Sequence, residues 1–316
     1  LIMPVSRASF LLGQAAITAL LATLLFSWTR QSFAGWTSAM AAPLWLISLP
    51  LMQWLNQTLM LDGLVALFAL LAMLQYGDYL HAPGWRRSLG FGLWAALAVL
   101  TKGSGFALAL VPPFSVLLTR RFELLRRFSF WLPALVVALP YLAWYWAVPG
   151  ADHGDAGAFG YPAIEPVHWV AILKQWPGLL DWWLLPLVLL GCASRWRCTR
   201  IANRQEARWT SALALLAGAL CFQMTFLSGH ESRNAAPALG PLVMFAMAGA
   251  GNVWAWLSRR WSCGNWAPLL GVLALCVVLA ANSQRWHRKS PRGFVQAAQD
   301  VLAAKQFHGR RGSLKG

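Results

Sequence analysis

Apolar residues come in long runs with short polar interruptions, over about 10–28, 36–54, 59–76, 88–101, 104–118, 128–148, 176–192, 209–228, 235–257 and 266–281. Crossing roughly 30 Å of hydrocarbon takes about 20 mostly apolar residues in a helix, and several of these runs reach that length. In lipid the backbone must satisfy its own hydrogen bonds, and the runs lack the period-2 alternation of a barrel strand. The pattern therefore predicts an all-α, polytopic transmembrane helix bundle of about ten membrane segments. Two runs are short for a full span, 88–101 and 104–118, and they are separated only by Lys102-Gly103.

Composition removes the soluble alternative. The chain is 58% hydrophobic and 11% charged, against about 25% charged in soluble domains. Its 20 tryptophans suit membrane interfaces. The net charge of +16 is read as the positive-inside bias of a membrane protein and not as a nucleic-acid surface, because the basic residues sit in clusters between apolar runs and no nucleic-acid motif accompanies them. The five cysteines show no CxxC pairing and no histidine at metal-ligand spacing, so no disulfide is expected.

Arginine placement sets an expected orientation. Arg30, Arg86, Arg87, Arg120, Arg121, Arg126, Arg127, the 195–208 cluster, Arg259 and Arg260 make 14 of the 21 arginines on one face, which is taken as cytoplasmic. Alternation then puts on the outer face the N-terminal stretch with Arg7, the Asn56–Asp62 corner, the Lys102 turn, the acidic 149–175 loop and the corner 229–234. The basic tail from Asn282 also falls outside, against the rule. Residues 1–281 are expected to form the membrane domain, and 282–316 to begin an extracytoplasmic domain. Both ends of the sequence read as truncated.

Ionisable groups at membrane depth are costly and suggest function. Asp62 lies a few residues into an otherwise apolar helix. It is read either as a carboxylate favoured by the helix N-terminus or as a group that binds a donor, ligates a metal or handles a proton. Lys102, on a glycine-rich turn, is read as a phosphate ligand or as a snorkelling lysine. His230, Glu231 and Arg233 share one corner, where arginine suits phosphate or carboxylate, though a plain polar hairpin is the alternative. His153 between Asp152 and Asp155 offers metal-ligand chemistry, but a solvated loop accounts for it more simply. Arg7 is open to either kind of reading.

The same residues carry a resemblance. Leu59-Met-Leu-Asp62-Gly-Leu-Val-Ala-Leu-Phe, followed by Ala95-Ala-Leu-Ala-Val-Leu-Thr101-Lys102-Gly103, resembles the core of GT-C membrane glycosyltransferases, the group of protein O-mannosyltransferases and lipid A aminoarabinose transferases. Glu231-Ser-Arg233-Asn234-Ala-Ala-Pro237-Ala-Leu-Gly-Pro241 is similar to that family's later corner, with Asn234 where a tyrosine is usual. The resemblance covers about residues 5 to 300. It implies transfer of a sugar from a polyprenyl-phosphate donor to a lipid or protein acceptor at the outer leaflet of a bacterial inner membrane. It further implies Asp62 as a catalytic-site carboxylate at the family's second acidic position, with Lys102 and Arg233 facing the donor phosphate; His230, Glu231 and Arg7, expected on the same outer face, are taken with them as substrate-binding residues. A first acidic loop is expected ahead of this region, so the chain alone is expected to be inactive. The cofactor is left open, a divalent metal being one option. The competing reading is a transporter or lipid flippase, which predicts polar residues at mid-membrane about a pseudo-dyad. An enzyme predicts them gathered at one end.

Overall fold

The structure is a computed structural model that describes residues 7–33, 36–57, 61–147, 184–196, 201–226 and 232–260, with 277 and 281. The described residues are helical throughout: α1 (Arg7–Ser32), α2 (Trp36–Ser48), α3 (Pro50–Gln57), α4 (Asp62–His81), α5 (Trp85–Thr101), α6 (Val111–Thr119), α7 (Phe128–Ala147), α8 (Leu184–Trp196), α9 (Arg204–Phe226) and α10 (Leu239–Arg260). Short 3₁₀ helices occupy Gly103–Leu110, Phe122–Arg126 and Ser232–Ala238. Four stretches, Leu11–Ser32, Asp62–His81, Phe128–Ala147 and Asn234–Arg260, are long and apolar enough to cross a membrane. Shorter apolar helices cover Ala39–Ser48, Gly103–Thr119 and Leu184–Trp196. The tenth apolar run apart from residues 277 and 281, the 149–175 loop and the tail from Asn282 lie outside the described residues.

Two of the expected runs are broken. The 36–54 run bends at Leu49, where Pro50 has no N–H to continue the ladder and instead opens α3. Gln53 Nε2 donates to the Ile47 carbonyl across the bend, at 2.9 Å. The 104–118 run starts as a 3₁₀ helix because it folds back tightly on α5. A Cβ at Gly105 would lie 2.5 Å from the Ala98 carbonyl carbon and 2.6 Å from its oxygen. Only a residue without a Cβ permits that approach.

α4 is the axis of the bundle. It packs against α5, α9, α1 and the 232–238 helix, and its Tyr76, Tyr79, Leu70 and Met73 are fully enclosed. α7 is the opposite case. It packs on α5, with the Pro133–Val136 turn against Gly92, but leaves Phe128, Trp131, Leu135, Leu139 and Trp146 on the outside. A helix apolar on its free side is a lipid-facing helix. Where α8 crosses α10, glycine lets the backbones touch: a Cβ at Gly191 would fall 1.9 Å from the Phe245 carbonyl oxygen, and one at Gly249 2.0 Å from that of Leu187. Small residues at such crossings are how helices approach closely in lipid.

Candidate functional site

α4 and α5 form an antiparallel hairpin through residues 82–84, so the residue after α5 returns to the level where α4 begins. This brings Lys102 to Asp62, 40 positions away in sequence. The Lys102 ammonium donates to Asp62 Oδ1 at 2.6 Å. The two side chains differ in access: that of Asp62 is 2% exposed and that of Lys102 27%. Asp62 sits in the first turn of α4, where no side chain caps the helix and the free amides favour a carboxylate. Lys102 has extended backbone between α5 and the 3₁₀ helix, with its carbonyl accepting from Gly105 N–H at 2.9 Å. The turn is therefore fixed from both sides, by Gly105 against Ala98 and by the carboxylate holding the ammonium.

Other polar groups lie on neighbouring elements. A Cβ at Gly63 would lie 3.3 Å from Gln14 Oε1 of α1, and the Thr18 hydroxyl lies 2.8 Å from Asn56 Oδ1 of α3. Ser104 Oγ and Gln223 Oε1 are buried with no hydrogen-bond partner, as are Trp28 Nε1, Trp45 Nε1, Tyr76 Oη and Ser115 Oγ elsewhere among the described residues. Gln223 reaches the same level by register. α9 runs antiparallel to α4, with Ser211 donating to the Met73 carbonyl at 2.8 Å. Gln223 is 12 residues beyond Ser211 and Asp62 is 11 residues before Met73, so each lies about 17 Å from that contact toward the same end. Buried polar atoms without partners are rare and call for a reason. A ligand at this end of the bundle supplies one. Neither side chain was legible in sequence, since a serine in a glycine turn and a glutamine near a helix end carry no local signal.

Of the other expected site residues, Arg233 lies on the 232–238 helix, which packs against α4 and the 103–110 helix. Arg7 opens α1. The side chains of both, and His230, Glu231, Asp152, His153 and Asp155 entirely, are outside the described residues. Among the described residues no three His, Cys, Asp or Glu side chains gather as a metal cluster. Cys192 and Cys221 are free thiols.

The other end of α4 holds a second carboxylate that sequence reading passed over. Asp78, 8% exposed, accepts from two arginines of α9. Arg204 Nε and Arg208 Nε donate to Oδ1 at 2.7 and 2.9 Å. Arg204 and Arg208 also donate to Oδ2 through their terminal nitrogens. Arg208 continues to Gln31 Oε1 at 2.9 Å, tying in α1. The terminal carbonyls of α4 are taken up as well, Asp78 O by Arg87 at 3.0 Å and Leu80 O by Arg121 at 2.6 Å. Gly77 makes room for this: a Cβ there would meet the Arg208 backbone at 2.7 Å. Nearby, the Arg195 guanidinium stacks on the Trp209 ring at 4.6 Å.

No protein-family model matches the sequence, and no curated protein matches it. A solved structure does. ArnT from Cupriavidus metallidurans bound to undecaprenyl phosphate superposes with a TM-score of 0.56 at 17% sequence identity, over 87% of this chain and 56% of that one. The fold is GT-C-like. The chain thus spans a little over half the length of ArnT, and the membrane-embedded, multi-pass character expected from its apolar runs agrees with that likeness.

Proposed function

We propose that the chain is the membrane portion of a GT-C-type glycosyltransferase that takes a sugar from a polyprenyl-phosphate carrier and passes it to a lipid or protein acceptor. The observation that carries this reading is the Lys102 ammonium held by the buried Asp62 at one end of α4. The fold shared with a protein that binds undecaprenyl phosphate supports the class of ligand. In this reading all ten apolar runs cross the membrane, the Asp62 end faces the periplasm, and residues 282–316 lead into a periplasmic domain.

The chemistry follows from the geometry. In the transfer, the bond between the anomeric carbon and the phosphate oxygen breaks, its electron pair leaving with the polyprenyl phosphate. A bond forms from the acceptor oxygen to that carbon, and the acceptor's proton goes to a carboxylate base. Negative charge grows on the departing phosphate, and a fixed ammonium in a water-poor site stabilises it without reorganisation. Lys102 is the group suited to that role, since it is partly exposed and its direction is set. Asp62, enclosed and with its Oδ1 engaged, acts as a positioning residue. The base is a carboxylate other than Asp62, whose Oδ1 is engaged by Lys102. Arg233, with His230 and Glu231 on the adjoining corner and Arg7 at the start of α1, completes the donor-facing set. Ser104 and Gln223 offer neutral hydrogen-bonding groups for sugar hydroxyls.

The test is binding of undecaprenyl phosphate to the purified chain in nanodiscs. The double variant Asp62→Asn/Lys102→Met is used because Lys102→Met alone leaves a lone buried carboxylate. A hydrogen bond to a charged group contributes about 1.5–3 kcal/mol, so the double variant binds at least roughly tenfold more weakly. Unchanged affinity in a folded double variant removes Lys102 from the phosphate and the reading with it.

A further inference from the structure

The arginine-rich end of the bundle contains a cavity of about 950 Å³, near the upper size of ligand pockets, roughly 300–1,000 Å³. It is far from the Asp62–Lys102 pair, at the opposite end of α4. Its lining divides by chemistry. Leu117 and Leu118 from the last turns of α6 and Trp196 from the end of α8 are apolar, while His81, Arg120 and Arg121 are basic. No Asp or Glu is among its described lining residues.

Arg121 is held in place, its Nε donating to Glu123 at 2.9 Å and a terminal nitrogen to the Leu80 carbonyl at 2.6 Å. Arg120 differs. It makes no hydrogen bond or ion pair with any described residue, and it has the only positive φ of a described non-glycine residue, 55°. Left-handed backbone disfavours a long side chain, so the chain accepts a cost in presenting an arginine there, at the end of α6, instead of glycine. Strain of this kind gathers where a side chain is needed in one place.

The geometry points to a binding site for an anionic phospholipid of the leaflet on this side. Its phosphodiester would lie between Arg120, Arg121 and His81, and its acyl chains along Leu117, Leu118 and Trp196. Headgroup charge and chain are matched in the order in which a lipid presents them: the leucines come two to four residues, about one helical turn, before the arginines, toward the hydrocarbon. Basic pockets between helices at a membrane face recognise anionic headgroups in this way. A soluble phosphate would use the cations alone and leave the apolar wall unexplained.

The experiment uses the full chain, purified from an equimolar mixture of phosphatidylglycerol and phosphatidylcholine, with native mass spectrometry counting the lipids retained. Phosphatidylglycerol is expected to be kept over phosphatidylcholine. Arg120→Gln is expected to weaken its retention about fivefold, the contribution of one basic residue at an anionic surface. Arg120→Gly suits the left-handed backbone, so it folds at least as well as the parent and should show the same loss. Arg126→Gln, which removes an exposed charge on the same side but outside the cavity, should show none. Leu117→Ser is expected to weaken the lipid as well. Glycerol phosphate, which has the charge without the chains, is expected not to displace it. Equal losses from Arg120→Gln and Arg126→Gln would mean diffuse attraction and overturn the site. Equal retention of the two lipids, or displacement by glycerol phosphate, would overturn it too. Asp62→Asn/Lys102→Met should leave this binding unchanged, which separates it from the function proposed for the other end.

Discussion

The two ends of α4 each carry one buried carboxylate, and they are built differently. At Asp78 two guanidiniums meet one carboxylate in paired hydrogen bonds, a glutamine extends the network, and two further arginines take the last carbonyls of the helix. At Asp62 a single ammonium meets the carboxylate, and that ammonium's side chain is itself 27% exposed. A saturated network fixes helices in place. A carboxylate with one partly exposed partner, at the other end of the same helix, leaves that partner free to meet something that is not protein. The lesson is that burial of charge alone does not mark a site; what marks it is a buried charge whose single partner can still be reached from outside.

The largest effect should come from breaking the saturated end. Asp78→Ala leaves two guanidiniums around an empty position, and removal of one partner from a buried pair costs about 3–5 kcal/mol. Unfolding of the reconstituted chain should show that loss, while the folded fraction binds undecaprenyl phosphate as before. Gly105→Ala comes next. Its Cβ would overlap Ala98 backbone, and such overpacking costs about 1–3 kcal/mol. The variant should also displace the Lys102 turn, so stability and headgroup affinity should fall together, as they do not in Asp78→Ala. Lys102→Arg keeps the charge but not the compact shape, and should retain stability to within about 1 kcal/mol while binding undecaprenyl phosphate a few-fold more weakly. Gln223→Leu should have the smallest effect on the fold. Replacing an unpartnered buried amide by an apolar side chain is neutral or stabilising by about 1 kcal/mol. Its expected signature is weaker binding of a sugar-loaded carrier with no change for the bare polyprenyl phosphate, measured side by side.

These contrasts also explain how much was legible beforehand. Asp62 and Lys102 stood out because each is a lone charge in an apolar run, and the antiparallel return of a short hairpin brings positions 40 apart together. Asp78 was not legible. It lies where an apolar run meets the arginine-rich side, and its partners Arg204 and Arg208 are 126 and 130 residues away. The helical class and the membrane character were visible in the apolar runs themselves. The 3₁₀ form of 103–110 was not, because it depends on a glycine packing against a backbone that only the fold brings near. The bend at Leu49 was signalled by Pro50 but hidden by the apolarity on both sides.

The most direct test compares the two ends in one preparation, by measuring undecaprenyl phosphate affinity and unfolding stability for Asp62→Asn/Lys102→Met and for Asp78→Asn/Arg208→Met. The account predicts that the first loses at least roughly tenfold in affinity while stability stays within about 1 kcal/mol, since a buried pair replaced as a pair is near neutral. The second leaves Arg204 with no carboxylate and breaks the bond to Gln31, so it is not a clean pair replacement and should lose stability while keeping its affinity. If the first pair proves structural and the second governs binding of the polyprenyl phosphate, the functional end of the molecule is the arginine-rich one and the proposed site is contradicted.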